Sequence, residues 1–201
     1  MNEGSLKIWW AKADSPLVTF AMPAFIDSTF NRNRPAETFT FRCPANAVPG
    51  TDEDKIFVVI DEVSGDYVEV WLATRTGDTV TGGGWARGNI RTGTGMGGLV
   101  AQGGNNAGTR AANFSWIGGA ITGADLAAGK IDHALVIALG YGMLSNTAWR
   151  APATAPDNGG HEGPFTMGCR LGIPPEIARP AGLSSFGNAM WDALKTYGAF
   201  V

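Results

Sequence analysis

The sequence predicts an all-β fold, a two-sheet sandwich of jelly-roll type with short peripheral helices and one C-terminal helix. Three observations carry this. Short runs rich in β-branched and aromatic residues recur between turn residues. Glycine punctuates the chain 29 times in 201 residues, too often for long helices. Only two stretches have helical caps and spacing. A sandwich of this length usually forms one domain, so a single domain over 1–201 is expected, with residues 1–50 as an N-terminal extension or edge strands.

The clearest element is a β-hairpin. KIFVVID (55–61) and YVEVWLATR (67–75) flank a Ser-Gly turn. In the second run Val68, Val70 and Leu72 alternate with Tyr67, Glu69 and Trp71, giving one apolar and one mixed face. A second sheet or a loop can cover the mixed face. From Gly77 to Gly123, 15 of 47 residues are glycine, with Trp85 and Trp116 among them. Such a segment suits short strands joined by turns that need positive φ.

The helices follow. TGADLAAG (122–129) opens on a Thr cap with Asp125 at its third position and closes on Gly129, which predicts one short helix. LSSFGNAMWDALKTYG (183–198) carries Phe186, Met190, Ala193, Leu194 and Tyr197 at three- and four-residue spacing. Ser184 or Ser185 caps it, Gly198 ends it, and its apolar stripe requires a sheet face. GIPPEIARP (172–180) reads as a proline-bounded turn.

KIDHALVIAL (130–139) places His133 at the mouth of the longest apolar run. Nearly all aliphatic from Ile131 to Leu139, this run predicts a central strand buried on both faces or lying under the terminal helix. His133 then points inward, neutral, bonded to a backbone carbonyl or a nearby carboxylate. Alternation sends Asp132 to the other face, so the adjacent pair is no dyad. The competing reading is a general acid or base at a cleft mouth.

Composition excludes several classes. Only 16% of residues are charged and the net charge is −3, without a basic stripe to neutralise phosphates, so nucleic acid is not an expected partner. The N-terminus lacks the apolar core of a secretory signal peptide, and no apolar run is long enough to span a bilayer. GTGMGG (93–98) opens no helix and is no dinucleotide fingerprint. No GxSxG elbow occurs. Cys43 and Cys169 read as two unrelated thiols or as one long-range disulfide.

Glycan recognition has candidates in Trp85, Trp116 and Trp149, with Asn105, Asn106 and Asn146 nearby in sequence; each tryptophan is equally readable as a core or loop anchor. A glycosidase would draw its carboxylates from Glu69, Asp157 and Glu162, yet no E-x-D-x-E strand appears. No cofactor is expected. Asp157, His161 and Glu162 share one loop with a sparse metal-ligand set, and Asp52 with Asp54 form a candidate calcium pair; a polar turn accounts for both stretches.

GTRAANFSWIGGAI, GKIDHALVIAL, RAPATAPD, MGCRLGIPP and ALKTYGAFV stand in the order of a series that resembles the minor-tail proteins of actinobacteriophages and secreted proteins of their hosts. The likeness covers Gly108 to the end and is weaker over 55–71. It implies a lectin-like sandwich in a virion or extracellular setting, with recurring polar positions at Arg110, His133, Asp157, Arg170 and Tyr197. These residues either line a ligand cleft or pin the last helix to the sheet.

The expected function is non-catalytic attachment to host-surface polysaccharide or to a neighbouring virion protein. Trp85, Trp116, Trp149, Arg110, Arg170 and Tyr197 are its candidate ligand residues. The alternatives are a carbohydrate-active enzyme with His133 and Asp157 in its cleft, and a purely structural capsid or tail component forming a homo-oligomer.

Overall fold

The computed structural model describes residues 6–28, 32–92, 108–156 and 162–201. The protein is all-β: the described residues form fifteen strands in five sheets and two short α-helices. The chain divides into two compact units, Met1–Ile117 and Gly118–Val201.

The N-terminal unit runs through β1 (Ile8–Ala11), β2 (Leu17–Met22), β3 (Phe25–Asp27), β4 (Arg32–Arg34), β5 (Glu37–Arg42), β6 (Phe57–Asp61), β7 (Asp66–Trp71), β8 (Thr74–Thr76), β9 (Thr79–Thr81) and β10 (Gly84–Asn89). Two four-stranded sheets result, in the orders β1-β6-β7-β10 and β5-β2-β9-β8, and β3 pairs with β4. The expected hairpin is the antiparallel pair β6–β7. The glycine-rich stretch yields the short strands β9 and β10, and Gly77 at φ +58 turns the chain between β8 and β9.

A shared core joins the two sheets as a sandwich. Ala11, Phe57, Val59, Val68, Val70 and Trp85 from the first meet Val18, Phe20, Met22 and Val80 from the second. The opposite face of the first sheet is covered too: Val58, Ile60 and Tyr67 pack with Leu6, Ile8, Trp116 and Ile117. Both faces being covered, all five residues of β6 are buried, which explains its unbroken FVVID apart from the final Asp61. That carboxylate is held by Arg42 at 2.8 Å and by the backbone N–H of Val63 and Ser64.

The C-terminal unit contains α1 (Gly123–Ala128), β11 (Leu135–Val136), a 3-10 turn (Tyr141–Met143), β12 (Leu144–Trp149), β13 (Phe165–Met167), β14 (Arg170–Leu171), α2 (Ser185–Thr196) and β15 (Ala199–Phe200). β15 lies between β11 and β14, parallel to the former and antiparallel to the latter. Helix α2 lays Ala189 and Ala193 on Ile131, Leu135 and Ala199, the sheet contact its stripe requires. Ser184 caps it through Gly187 N–H, and Gly198 leaves it at φ +73. The prolines of 172–180 bound a turn closed by Ile177 N–H to Pro174 O at 3.1 Å.

One expectation is corrected. The aliphatic run 131–139 is not a central strand buried on both faces: its strand is Leu135–Val136, followed by a bond from Ile137 N–H to Phe200 O at 2.9 Å, β11 is an edge strand, and the middle of its sheet is β15; the alternative placement under the terminal helix holds at Ile131 and Leu135. Charged Lys130 and Asp132 pair with each other on the surface instead of entering a ladder. His133 therefore sits before the strand, half-buried.

Helix α1 has the full capping box. Thr122 Oγ1 accepts from Asp125 N–H, and Asp125 accepts from Thr122 N–H at 2.7 Å. None of its residues is buried, so the caps carry it. Thr122→Ala is expected to weaken α1 locally by about 1 kcal/mol, seen as faster amide hydrogen exchange at Asp125 and Leu126 without a change in global melting. Unchanged exchange rates would refute the capping account.

Candidate functional site

The most chemically loaded place in the molecule is the covered face of β7. Alternation puts Tyr67 and Glu69 on this face, opposite Val68 and Val70 in the core. Glu69 is completely buried. Its Oε1 accepts from the Thr109 N–H at 2.6 Å and from Thr109 Oγ1 at 3.3 Å; its Oε2 accepts from Ser115 Oγ at 2.8 Å and from the Trp116 N–H at 3.0 Å. The four donors come from one segment, 109–116, so the carboxyl group fastens that segment to the sheet.

The charges of Arg34 and Arg110 act on it, and Arg32 lies beside Arg34. Arg34, 2% exposed, donates to the Trp85 carbonyl and to Gly108 O at 2.9 Å. A Cβ at Gly108 would collide with the Phe114 carbonyl, so only glycine allows this approach. Arg32 donates to Asn113 Oδ1 and to Arg110 O, each at 3.3 Å, and lies 4.6 Å over the Phe25 ring. Arg110 sets its guanidinium 4.2 Å over the Trp116 ring.

Burial dominates the titration of these groups. It pushes the Glu69 carboxyl up, against hydrogen bonds from Ser115, Trp116 and Thr109 and the charge of Arg34. It pulls Arg34 down to about 10, with Glu69 opposing, and lowers Arg110 in the same way. It raises the Tyr67 phenol, and neighbouring Glu69 adds to the effect.

The sequence-predicted residues scatter between the units. Arg110 and Trp116 meet in the N-terminal unit. Of its two readings, ligand residue or core anchor, Trp85 takes the core position: it is 2% exposed, with Nε1 donating to Pro23 O at 3.1 Å. Trp116 has one ring face taken by Arg110 and its Nε1 bonded to Thr109 Oγ1 at 2.9 Å. Glu69 is walled in by Thr109, Ser115 and Trp116; Glu162 lies exposed in the other unit, bridged to Ser145.

In the C-terminal unit Trp149 is 48% exposed at the end of β12, Arg170 is exposed on β14, and Tyr197 caps α2 and packs with its apolar residues. His133 has Nδ1 2.9 Å from Ala134 O and Nε2 3.5 Å from Asp125 Oδ2, with 37% of its side chain exposed. The backbone-carbonyl contact is as expected; the partner carboxylate is Asp125, which Thr122 holds below the usual carboxylate range. Asp157, His161, Asn105, Asn106 and the 93–98 glycines lie outside the described residues.

Asp52 Oδ1 accepts from Lys55 N–H and Asp54 Oδ1 from Trp71 Nε1, both at 2.8 Å, so this acidic stretch is a surface turn held against the end of β7. Among the described residues no three His, Cys, Asp or Glu side chains gather to hold a metal, and no helix is long and apolar enough to cross a membrane. Both cysteines are free thiols. Arg34, Thr109 and Ser115 were not legible as site residues; the one signal was a glutamate at a mid-strand position between Val68 and Val70. No family model, curated protein or solved structure matches the chain.

Proposed function

We propose that this chain is a non-catalytic virion or extracellular protein that attaches to host-surface polysaccharide. The observation that carries the reading is the exposed indole of Trp149, with exposed Thr147 and Arg150 beside it along the same stretch of chain. A flat aromatic face flanked by hydrogen-bonding groups suits the CH face and hydroxyls of a sugar. The other supporting point is negative in character: the buried carboxyl group of Glu69 spends all its hydrogen bonds on holding the fold.

A glycan array probed with the intact chain tests this, with Trp149→Ala as the variant. Binding reduced about tenfold or more in the variant, with no reducing ends released, is the expected outcome. Uniform absence of binding would discard the proposal.

One observation favours the catalytic alternative: the half-exposed His133 ring beside the Asp125 carboxylate. Release of reducing ends that disappears in both His133→Ala and Asp157→Asn would establish it over attachment alone.

A further inference from the structure

From Thr79 to Ala124 the sequence contains no aspartate or glutamate, yet it carries Arg87, Arg91 and Arg110. Two of these cations find partners. Arg87 pairs with Glu37 at 2.6 Å, and Arg91 donates to the carbonyls of Val63 at 2.7 Å and Glu62 at 2.6 Å. Arg110 differs. Among the described residues no carboxylate forms an ion pair with it, and its Nε, like those of Arg87 and Arg34, is buried without a hydrogen-bond partner.

The negative charge that acts on it is Glu69, whose oxygens are occupied by Thr109, Ser115 and Trp116 and whose field Arg34 shares. Two guanidinium groups thus divide one carboxyl group. Removing a cation from water without a counter-charge is unfavourable, and a bound anion relieves it. The side chain is also held in place. The Trp116 ring lies under it at 4.2 Å, and that ring is fixed through Thr109 and Glu69. A stacked guanidinium of fixed orientation presents a planar fork suited to the two oxygens of a carboxylate or phosphate.

We propose that Arg110, seated on Trp116, is the binding site for an anionic group, a sugar carboxylate or a phosphate, of the polysaccharide ligand. This rests on the polysaccharide reading and narrows it to acidic glycans. Whole-chain attraction does not account for such binding, since the net charge is −3.

The test measures binding of the full chain at physiological salt to polygalacturonate, to poly(glycerol phosphate) and to neutral dextran, for wild type, Arg110→Gln and Trp149→Ala. The expected result is binding to at least one anionic polymer that falls about tenfold or more in Arg110→Gln. Binding to polygalacturonate alone makes the carboxylate the source, and to poly(glycerol phosphate) alone the phosphate. Equal affinity for dextran, or Arg110→Gln binding like wild type, overturns the assignment. Dextran binding lost in Trp149→Ala but kept in Arg110→Gln sinks this inference while sparing the polysaccharide reading. No binding to any polymer sinks both. If circular dichroism finds Arg110→Gln unfolded, the wild type decides alone: a tenfold preference for an anionic polymer, erased by high salt, upholds the site, and parity overturns it.

Discussion

Glu69→Ala is expected to destabilise the N-terminal unit by about 3–5 kcal/mol, because truncation strands Arg34 without its neighbouring negative charge and leaves four donors of segment 109–116 unsatisfied in a buried site. Urea denaturation reads this directly, and a loss under about 1 kcal/mol would show that water replaces the carboxylate without penalty. Glu69→Gln is milder, since it keeps one acceptor but turns an amide NH2 toward the backbone N–H of Thr109 or Trp116. The pair also has a pH signature. Burial holds the Glu69 carboxyl above its ordinary value, so its proton is bound more tightly in the folded chain. The resulting stabilisation is complete below the unfolded value, about 4.3, and is lost as pH rises through the folded one. The advantage of wild type over Glu69→Gln therefore shrinks with rising pH. An advantage that grows instead would reverse the assigned direction.

Phe20→Ala is expected to lose a similar amount, about 3–5 kcal/mol, for a different reason. Phe20 is fully buried on β2 and touches both sheets: it stacks on Phe39 at 5.5 Å and on Phe57 at 6.4 Å, and meets Phe41 edge-on at 6.1 Å. No single neighbour can move to fill the void without abandoning another ring. Trp10→Ala, at a half-exposed ring, is the control and is expected to shift stability by no more than about 0.5 kcal/mol. Equal effects at the two positions would contradict the placement of the core.

What the sequence made legible was whatever a few neighbouring residues decide. The capping box of Thr122 and Asp125, the stop at Gly198 and the period-two face of β7 all follow from contacts within one element. Partner choice does not. Nothing near Ile8 announces that β1 runs parallel to β6, and nothing near Arg34 or Ser115 announces that they close over Glu69, because those groups meet only after distant strands have aligned. The tryptophans illustrate the same limit. Trp85 and Trp149 both lie near glycines or turns, yet one is sealed in the sandwich and the other open to solvent. For His133, an aliphatic run mimicked a long buried strand although only Leu135 and Val136 form one.

The parallel pairings of the N-terminal unit have a temporal consequence. β1 joins β6 through Ile8 and Val58, and β2 joins β9 through Thr19 and Thr79, so each closes a loop of fifty to sixty residues before any ladder forms. The quick event is the β6–β7 hairpin, and the rate-limiting search is the return of the first two strands to edges that already exist. Refolding of this unit belongs on the millisecond-to-second scale of sandwiches, during which the outer edge of β6 stays open to other chains.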